Sequence, residues 1–180
     1  MKELLLKIDE LVKNDAIYEY KRIGEGMFGD IFLVEGLAVK VYKPCFSTNY
    51  IKEGEHLHML QHLAVPKVYA YTEHYCVMEY IKGYTVKETL RRLYRGENIV
   101  MPAVGFAYQL DRTIKGILVS GLFPYDLHSG NVMINERGHA IVIDTAAYYS
   151  LKNRKTDHHS LELQTDAILR DLNEIQKEIN

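Results

Sequence analysis

The segment from Ile17 to Tyr42 constrains the fold most, because its β-prone stretches are too short and too broken by glycine to be helical. Candidate strands are Tyr18–Ile23, Asp30–Val34 and Leu37–Tyr42, the last two joined by a turn at Glu35-Gly36. Ahead of them, Leu4, Leu5, Ile8, Leu11 and Val12 recur at helical spacing, which predicts an amphipathic helix over 2–13 packed on the segment after it. Behind them, Ser47 or Thr48 caps a predicted helix to about His62, with Ile51, Leu57, Leu60 and Leu63 on or near one face and Pro66 as its stop. Strands at Lys67–Tyr71 and Tyr75–Met78 come next.

The second half is richer in helix. Thr85-Val-Lys-Glu88 is a capping box that opens a helix to about Tyr94. Ala103 to Val119 is a second helix, ending at Gly121, and Ile168, Leu172, Ile175 and Ile179 mark a third. Between them, strands at Val132–Ile134 and Ala140–Ile143 flank a turn at Glu136-Arg-Gly138. The order predicts an α+β chain in two lobes: a β-rich first lobe over about 1–80 with an extra N-terminal helix, a hinge at 81–83, and a reduced helical lobe over 84–180.

A chain of 180 residues suits one domain, or two small lobes sharing a cleft. Lys and Arg number 22 against 24 Asp and Glu, so the charge of −2 argues against a strongly basic nucleic-acid binder. Cys45 and Cys76 form no CxxC pair, which excludes a disulfide scaffold or zinc ribbon and fits a reducing compartment. Cys76, in a strand, reads as a small core hydrophobe and Cys45 as a partly exposed thiol. The N-terminal apolar run is broken by charge after three leucines, so neither a secretory segment nor a membrane span is expected. The expected setting is the cytoplasm, with delivery into another cell left open.

Gly24-Glu-Gly26-Met-Phe-Gly29 is G-x-G-x-x-G, followed by Asp-Ile-Phe-Leu-Val. A dinucleotide fingerprint needs a helix directly after the glycines, and these residues favour a strand instead. A strand, glycine turn and strand make a flap whose backbone N–H groups can approach phosphates, though a plain hairpin turn is the bland alternative. Lys40 stands in Leu37-Ala-Val-Lys-Val-Tyr42, sharing one strand face with Ala38. It reads either as an edge lysine or as a phosphate-binding cation beneath the flap. The second role requires an acidic partner. Glu53, which shares a helix face with Leu57 and Leu60, suits it better than Glu55.

A second constellation is Tyr125-Asp126-Leu-His128-Ser-Gly-Asn131, then Ile143-Asp144-Thr-Ala146. A hairpin over 132–143 would bring Asn131 and Asp144 side by side. Their carbonyl and carboxylate oxygens are hard ligands that suit Mg2+ bound together with phosphate oxygens. Asp126 would then face the nucleophile as base or positioner.

Taken in order, these features resemble the protein-kinase-like superfamily over about residues 18–147. The resemblance includes the hinge-like Val77-Met-Glu-Tyr-Ile-Lys-Gly83. It implies that Gly24, Gly26 and Gly29 cover the phosphates of ATP and that Lys40 holds them while paired with Glu53. It implies further that Asp126 orients or deprotonates the acceptor hydroxyl and that Asn131 and Asp144 hold Mg2+. Adenine would lie between Ile31 and Ala38 on one side and Met133 on the other, with Met78 at the back and backbone bonds at Glu79 and Ile81.

Where the family has His-Arg-Asp, this chain has Pro124-Tyr125-Asp126, and Asp144-Thr145-Ala146 replaces Asp-Phe-Gly. No Ala-Pro-Glu appears, and only residues 145–180 follow Asp144. The chain is therefore similar to compact bacterial kinase-like proteins, RIO-type kinases and short effector kinases, which implies activity independent of loop phosphorylation. The loop Asp126-Leu-His-Ser-Gly-Asn131 also looks like that of aminoglycoside and choline phosphotransferases. His128 stands where serine/threonine kinases place a phosphate-contacting lysine; contacting phosphate and bracing the loop both stay open. The short remainder favours a protein serine/threonine substrate over a small molecule. A pseudokinase-like interaction module is the other alternative, and an activating partner protein is left open.

Overall fold

The computed structural model describes residues 1–44, 52–153 and 157–178. Cys45, the cap at Ser47 or Thr48, and the apolar positions Ile51 and Ile179 lie outside the described residues. The chain divides into two compact units, Met1–His58 with Pro66–Tyr80, and Met59–Val65 with Ile81–Asn180.

The first unit opens with helix α1 (Lys2–Lys13) and a 3-10 turn at Ala16–Glu19. Strands β1 (Lys21–Glu25), β2 (Gly29–Val34) and β3 (Leu37–Tyr42) come after it, then helix α2 (Glu53–Met59) and strands β4 (Val68–Tyr71) and β5 (Tyr75–Glu79). The sheet order is β1-β2-β3-β5-β4, with every pairing antiparallel. Glu35 at φ 47° and Gly36 at φ 84° make the turn between β2 and β3, the pair of left-handed residues that a two-residue hairpin demands.

Ile8 of α1 and Ile17 of the 3-10 turn are fully buried in a core with Phe32, Val34, Val39, Val41, Tyr75 and Val77. Each such burial contributes roughly 1.5–3 kcal/mol. Two polar contacts fix α1 on the sheet: an ion pair of Lys7 with Glu35, and a hydrogen bond donated by the Tyr75 hydroxyl to Oδ1 of Asp9 at 3.1 Å.

Two expectations for this part of the chain are corrected by the fold. Tyr18–Tyr20 is not strand: Asp15 turns left-handed at φ 57° and starts the 3-10 turn, and the Tyr18 ring meets Phe32 edge-on at 5.3 Å. Its aromatic character serves packing instead of strand pairing. Helix α2 stops at Met59, short of His62: the chain turns tightly there, with the Leu63 N–H donating to the Leu60 carbonyl at 2.8 Å, and the Ala64 carbonyl accepts from the Val142 N–H at 2.9 Å.

The second unit holds β6 (Gly83–Thr85), α3 (Val86–Tyr94), α4 (Phe106–Val119), β7 (Leu122–Phe123), β8 (Val132–Asn135), β9 (Ala140–Val142), β10 (Tyr149–Ser150) and α5 (His158–Lys177). β6, β8 and β9 form one antiparallel sheet, and β7 pairs with β10. The capping box is present in part: Thr85 Oγ1 accepts from the Glu88 N–H at 3.1 Å. Helix α4 begins at Phe106 instead of Ala103, because Ala103 donates its N–H to Gly138 of the β8–β9 turn and Gly105 at φ 89° supplies the cap. Among the described residues no helix is long and apolar enough to cross a membrane.

Candidate functional site

In the first unit, Lys40 is a cation in a strand that is buried along its whole length. Its Nζ lies 2.8 Å from Oε2 of Glu53, and the two side chains are 3% and 2% exposed. Taking two charges out of water is expensive, and the pair persists because each neutralises the other. Glu53 opens α2, where a carboxylate also suits the helix dipole. Gly54 sets the helix position: a Cβ there would fall 2.3 Å from Cβ and Cγ of Tyr71, so α2 sits directly on β4.

Register defines what surrounds Lys40. Ile31 and Cys76 lie opposite it on β2 and β5, and Met78 lies opposite Ala38. Pleating puts Ile31, Ala38, Lys40, Cys76 and Met78 on one sheet face, away from the core under α1. Burial, with the charge of Glu53 adding to it, pushes the Cys76 thiol far above its usual range, so this cysteine is an inert packing group. Glu79 pairs with Leu37, and its N–H donates to the Lys67 carbonyl at 2.8 Å.

The glycine hairpin joins β1 to β2, with the Gly26 N–H donating to the Gly29 carbonyl at 2.9 Å. Gly29 is required by crowding, since a Cβ would fall 2.4 Å from the Val41 carbonyl oxygen. Lys43 braces the hairpin from β3's end by donating Nζ to the Gly26 carbonyl at 2.9 Å. Sequence reading missed Lys43 and Gly54, since neither belongs to a motif and both act through residues distant in the chain.

In the second unit, Asp126 lies in the left-handed region at φ 65°, as does Asp144 at φ 57°. Such strain in non-glycine residues concentrates at functional positions. The loop is tied together internally. Asn131 donates Nδ2 to the Asp126 carbonyl at 3.0 Å and its N–H to the His128 carbonyl at 2.8 Å. With the amide nitrogen so engaged, its Oδ1 is the end left to accept. The Ile143 N–H donates to the Asn131 carbonyl at 2.9 Å, and the β8–β9 register sets Asp144 one residue beyond. Asp144 Oδ1 accepts from the Ala146 N–H at 3.4 Å, and Thr145 and Ala146 are buried.

His128 accepts from the Gly130 N–H on Nδ1 at 2.9 Å, a bracing bond, and its Nε2 lies 3.9 Å from Oδ1 of Asp126. Helix α3 supports the loop through the Lys87 N–H, which donates to the Ser129 carbonyl at 3.0 Å. Met133 is half-buried on β8, opposite Thr85 and Ile141. A residue that no motif pointed to also reaches the loop: Gln164 of α5 accepts from the Leu127 N–H at 2.9 Å. Of the two tyrosines after Asp144, Tyr148 is buried and Tyr149 stacks on Phe123 at 5.0 Å.

The donor set fits a magnesium ion. Asn131 and Asp144 offer hard oxygens from adjacent hairpin ends, and among the described residues no group of three or more His, Cys, Asp or Glu forms a cage of its own. Mg2+ characteristically takes one or two protein oxygens and completes its shell with phosphate and water.

The model of the ABC1 atypical kinase-like domain matches residues 47–179. That span includes Glu53, the Asp126–Asn131 loop and Asp144, and begins beyond β3. The glycine hairpin and Lys40 lie outside the matched span. The chain is also 28% identical over 155 residues to "Putative serine/threonine-protein kinase YrzF" of Bacillus subtilis (strain 168), covering 79% of this chain and 69% of the relative. A glycine hairpin, a buried Lys–Glu pair and an Asp-loop-Asn hairpin ending in Asp accompany that match, and the chain belongs to the ABC1 atypical kinase-like family within the protein-kinase-like superfamily.

Proposed function

We propose that this protein is a Mg-ATP-dependent kinase that transfers the γ-phosphate of ATP to a serine or threonine hydroxyl of a protein. The buried Lys40–Glu53 pair carries the reading. A buried ion pair adds little net stability over apolar groups of similar volume, which supports a functional reason for charge at this depth. Lys40 would bind the α- and β-phosphates, with Glu53 fixing its ammonium. Ile31, Ala38, Met78 and Met133 would line the adenine, and the Glu79 carbonyl and Ile81 backbone would meet its edge. Gly24, Gly26 and Gly29 would lie over the phosphates. Asn131 and Asp144 would hold Mg2+, which when bound neutralises charge on the transferring phosphate.

Asp126 would accept the proton of the acceptor hydroxyl or orient it, while His128 keeps the loop in shape through Gly130. Tyr125 stands directly before Asp126 where an arginine would receive an activating phosphate, which supports activity without loop phosphorylation. The name of the Bacillus relative supports serine/threonine as acceptor.

The test is incubation of the purified protein with γ-labelled ATP and Mg2+, alone and with a generic protein acceptor, comparing wild type with Asp144→Ala. Label on serine or threonine that disappears in Asp144→Ala supports the reading. Label only on tyrosine or on an added aminoglycoside or choline would move the acceptor class, and equal label in both proteins would remove the metal role of Asp144.

A further inference from the structure

The peptide group that joins Asp126 to Leu127 is held at both ends. Its carbonyl accepts from Asn131 Nδ2 at 3.0 Å, and its N–H donates to Gln164 Oε1 at 2.9 Å. Leu127 is 1% exposed, and a buried donor stripped of its acceptor costs about 1–3 kcal/mol. The Gln164 amide is itself oriented. Its Nε2 donates to Ser160 Oγ at 3.0 Å one turn earlier on α5, and the Ser160 N–H is capped by Asp157 Oδ1 at 3.0 Å. Flipping the amide would set two donors against each other at Leu127.

This clamp acts on a residue that needs one. Asp126 is left-handed, a conformation that costs of order 1–3 kcal/mol and persists only where the surroundings over-determine it. Rotation of the 126–127 peptide plane is rotation about ψ of Asp126, which turns the backbone that carries its carboxylate. Asn131 supplies one restraint from within the loop. The second comes from a helix that shares no motif with it.

We propose that Gln164 is a positioning residue for phosphate transfer, reaching from the C-terminal helix to lock the peptide plane behind Asp126. The proposal rests on the kinase reading of this site. It makes α5 the backing of the loop.

The test compares wild type, Gln164→Met and Gln164→Glu, well below the melting point of each. Methionine keeps the length and removes the acceptor; glutamate keeps an acceptor. Gln164→Met is expected to lower kcat by roughly 10- to 100-fold with KM for ATP nearly unchanged. The Leu127 amide, followed by hydrogen exchange, is expected to exchange faster in Gln164→Met. Gln164→Glu is expected to restore both kcat and protection. If Gln164→Met does not fold, Ser160→Ala, which removes only the brace on the amide, is expected to lower kcat about threefold, again at constant KM. Wild-type kcat in Gln164→Met, or in Ser160→Ala when it stands in, overturns the proposal, as does a Gln164→Glu protein with a protected Leu127 amide but no recovery of kcat. Absence of phosphate transfer by wild type is a different failure: it overturns the kinase reading and the positioning role with it.

Discussion

Lys40 Nζ and Glu53 Oε2 are in contact at 2.8 Å with almost no access to water, although one belongs to the middle of β3 and the other to the first turn of α2. Removing one charge deprives the other of its 2.8 Å counter-ion in a buried site. Lys40→Met and Glu53→Met are each expected to cost about 3–5 kcal/mol, which lowers the melting temperature by roughly 10 °C or more in a chain of this size. The double Met variant is expected to be more stable than either single variant. Thermal denaturation of the three proteins checks the order, and additive losses would contradict a coupled pair.

Asp144 separates fold from metal chemistry. Asparagine tolerates the left-handed region and retains an oxygen for the Ala146 N–H, so Asp144→Asn is expected to fold with a melting temperature close to wild type. Phosphate transfer is expected to fall by about 100-fold or more. A Mg2+ titration of nucleotide affinity checks the cause, since Asp144→Asn is expected to lose the Mg2+-dependent part.

The α3 cap offers a measurement free of the catalytic groups. Thr85→Ala leaves the Glu88 N–H without its acceptor and is expected to cost about 1 kcal/mol, or roughly 2–4 °C in melting temperature. Thr85→Ser retains the hydroxyl and is expected to lose less.

Alkaline stability is set in part where α1 meets the sheet. Burial, aided by the hydrogen bond to Asp9, holds the Tyr75 phenol up at about 12 against an ordinary value of 10.0. The native state therefore favours the protonated phenol. Its contribution is complete below pH 10.0 and is lost as pH rises through about 12. Tyr75→Phe cannot titrate and is expected to show a shallower fall in urea midpoint across that window than wild type. Equal slopes would mean that the phenol is not buried as described.

Much of the strand order and most of the helices were legible in the sequence because local signals agreed with packing. Leu37–Tyr42 is continuous apolar sequence around one lysine and became a fully buried strand. Thr85 and Glu88 announced α3 through a bond between neighbours. Local signals failed where distant partners decided the outcome. Tyr18 looked like strand and was taken into a 3-10 turn by Asp15 and Phe32, and α2 stopped at Met59, ahead of the Ala64–Val142 pairing. The Lys40–Glu53 pair was readable from helix phase and strand alternation. Gln164 was not, because a lone glutamine on an amphipathic helix carries no sign of the backbone N–H that it will meet.

Gly54 gives the acidic end of α2 a mechanical meaning. With hydrogen in place of a side chain, the helix rests on Tyr71 without a spacer. Any larger residue would act as a wedge, levering Glu53 outward while leaving both charges chemically intact. Control by swinging this helix would have to begin by prising it off β4, so a missing side chain holds the pair engaged by default.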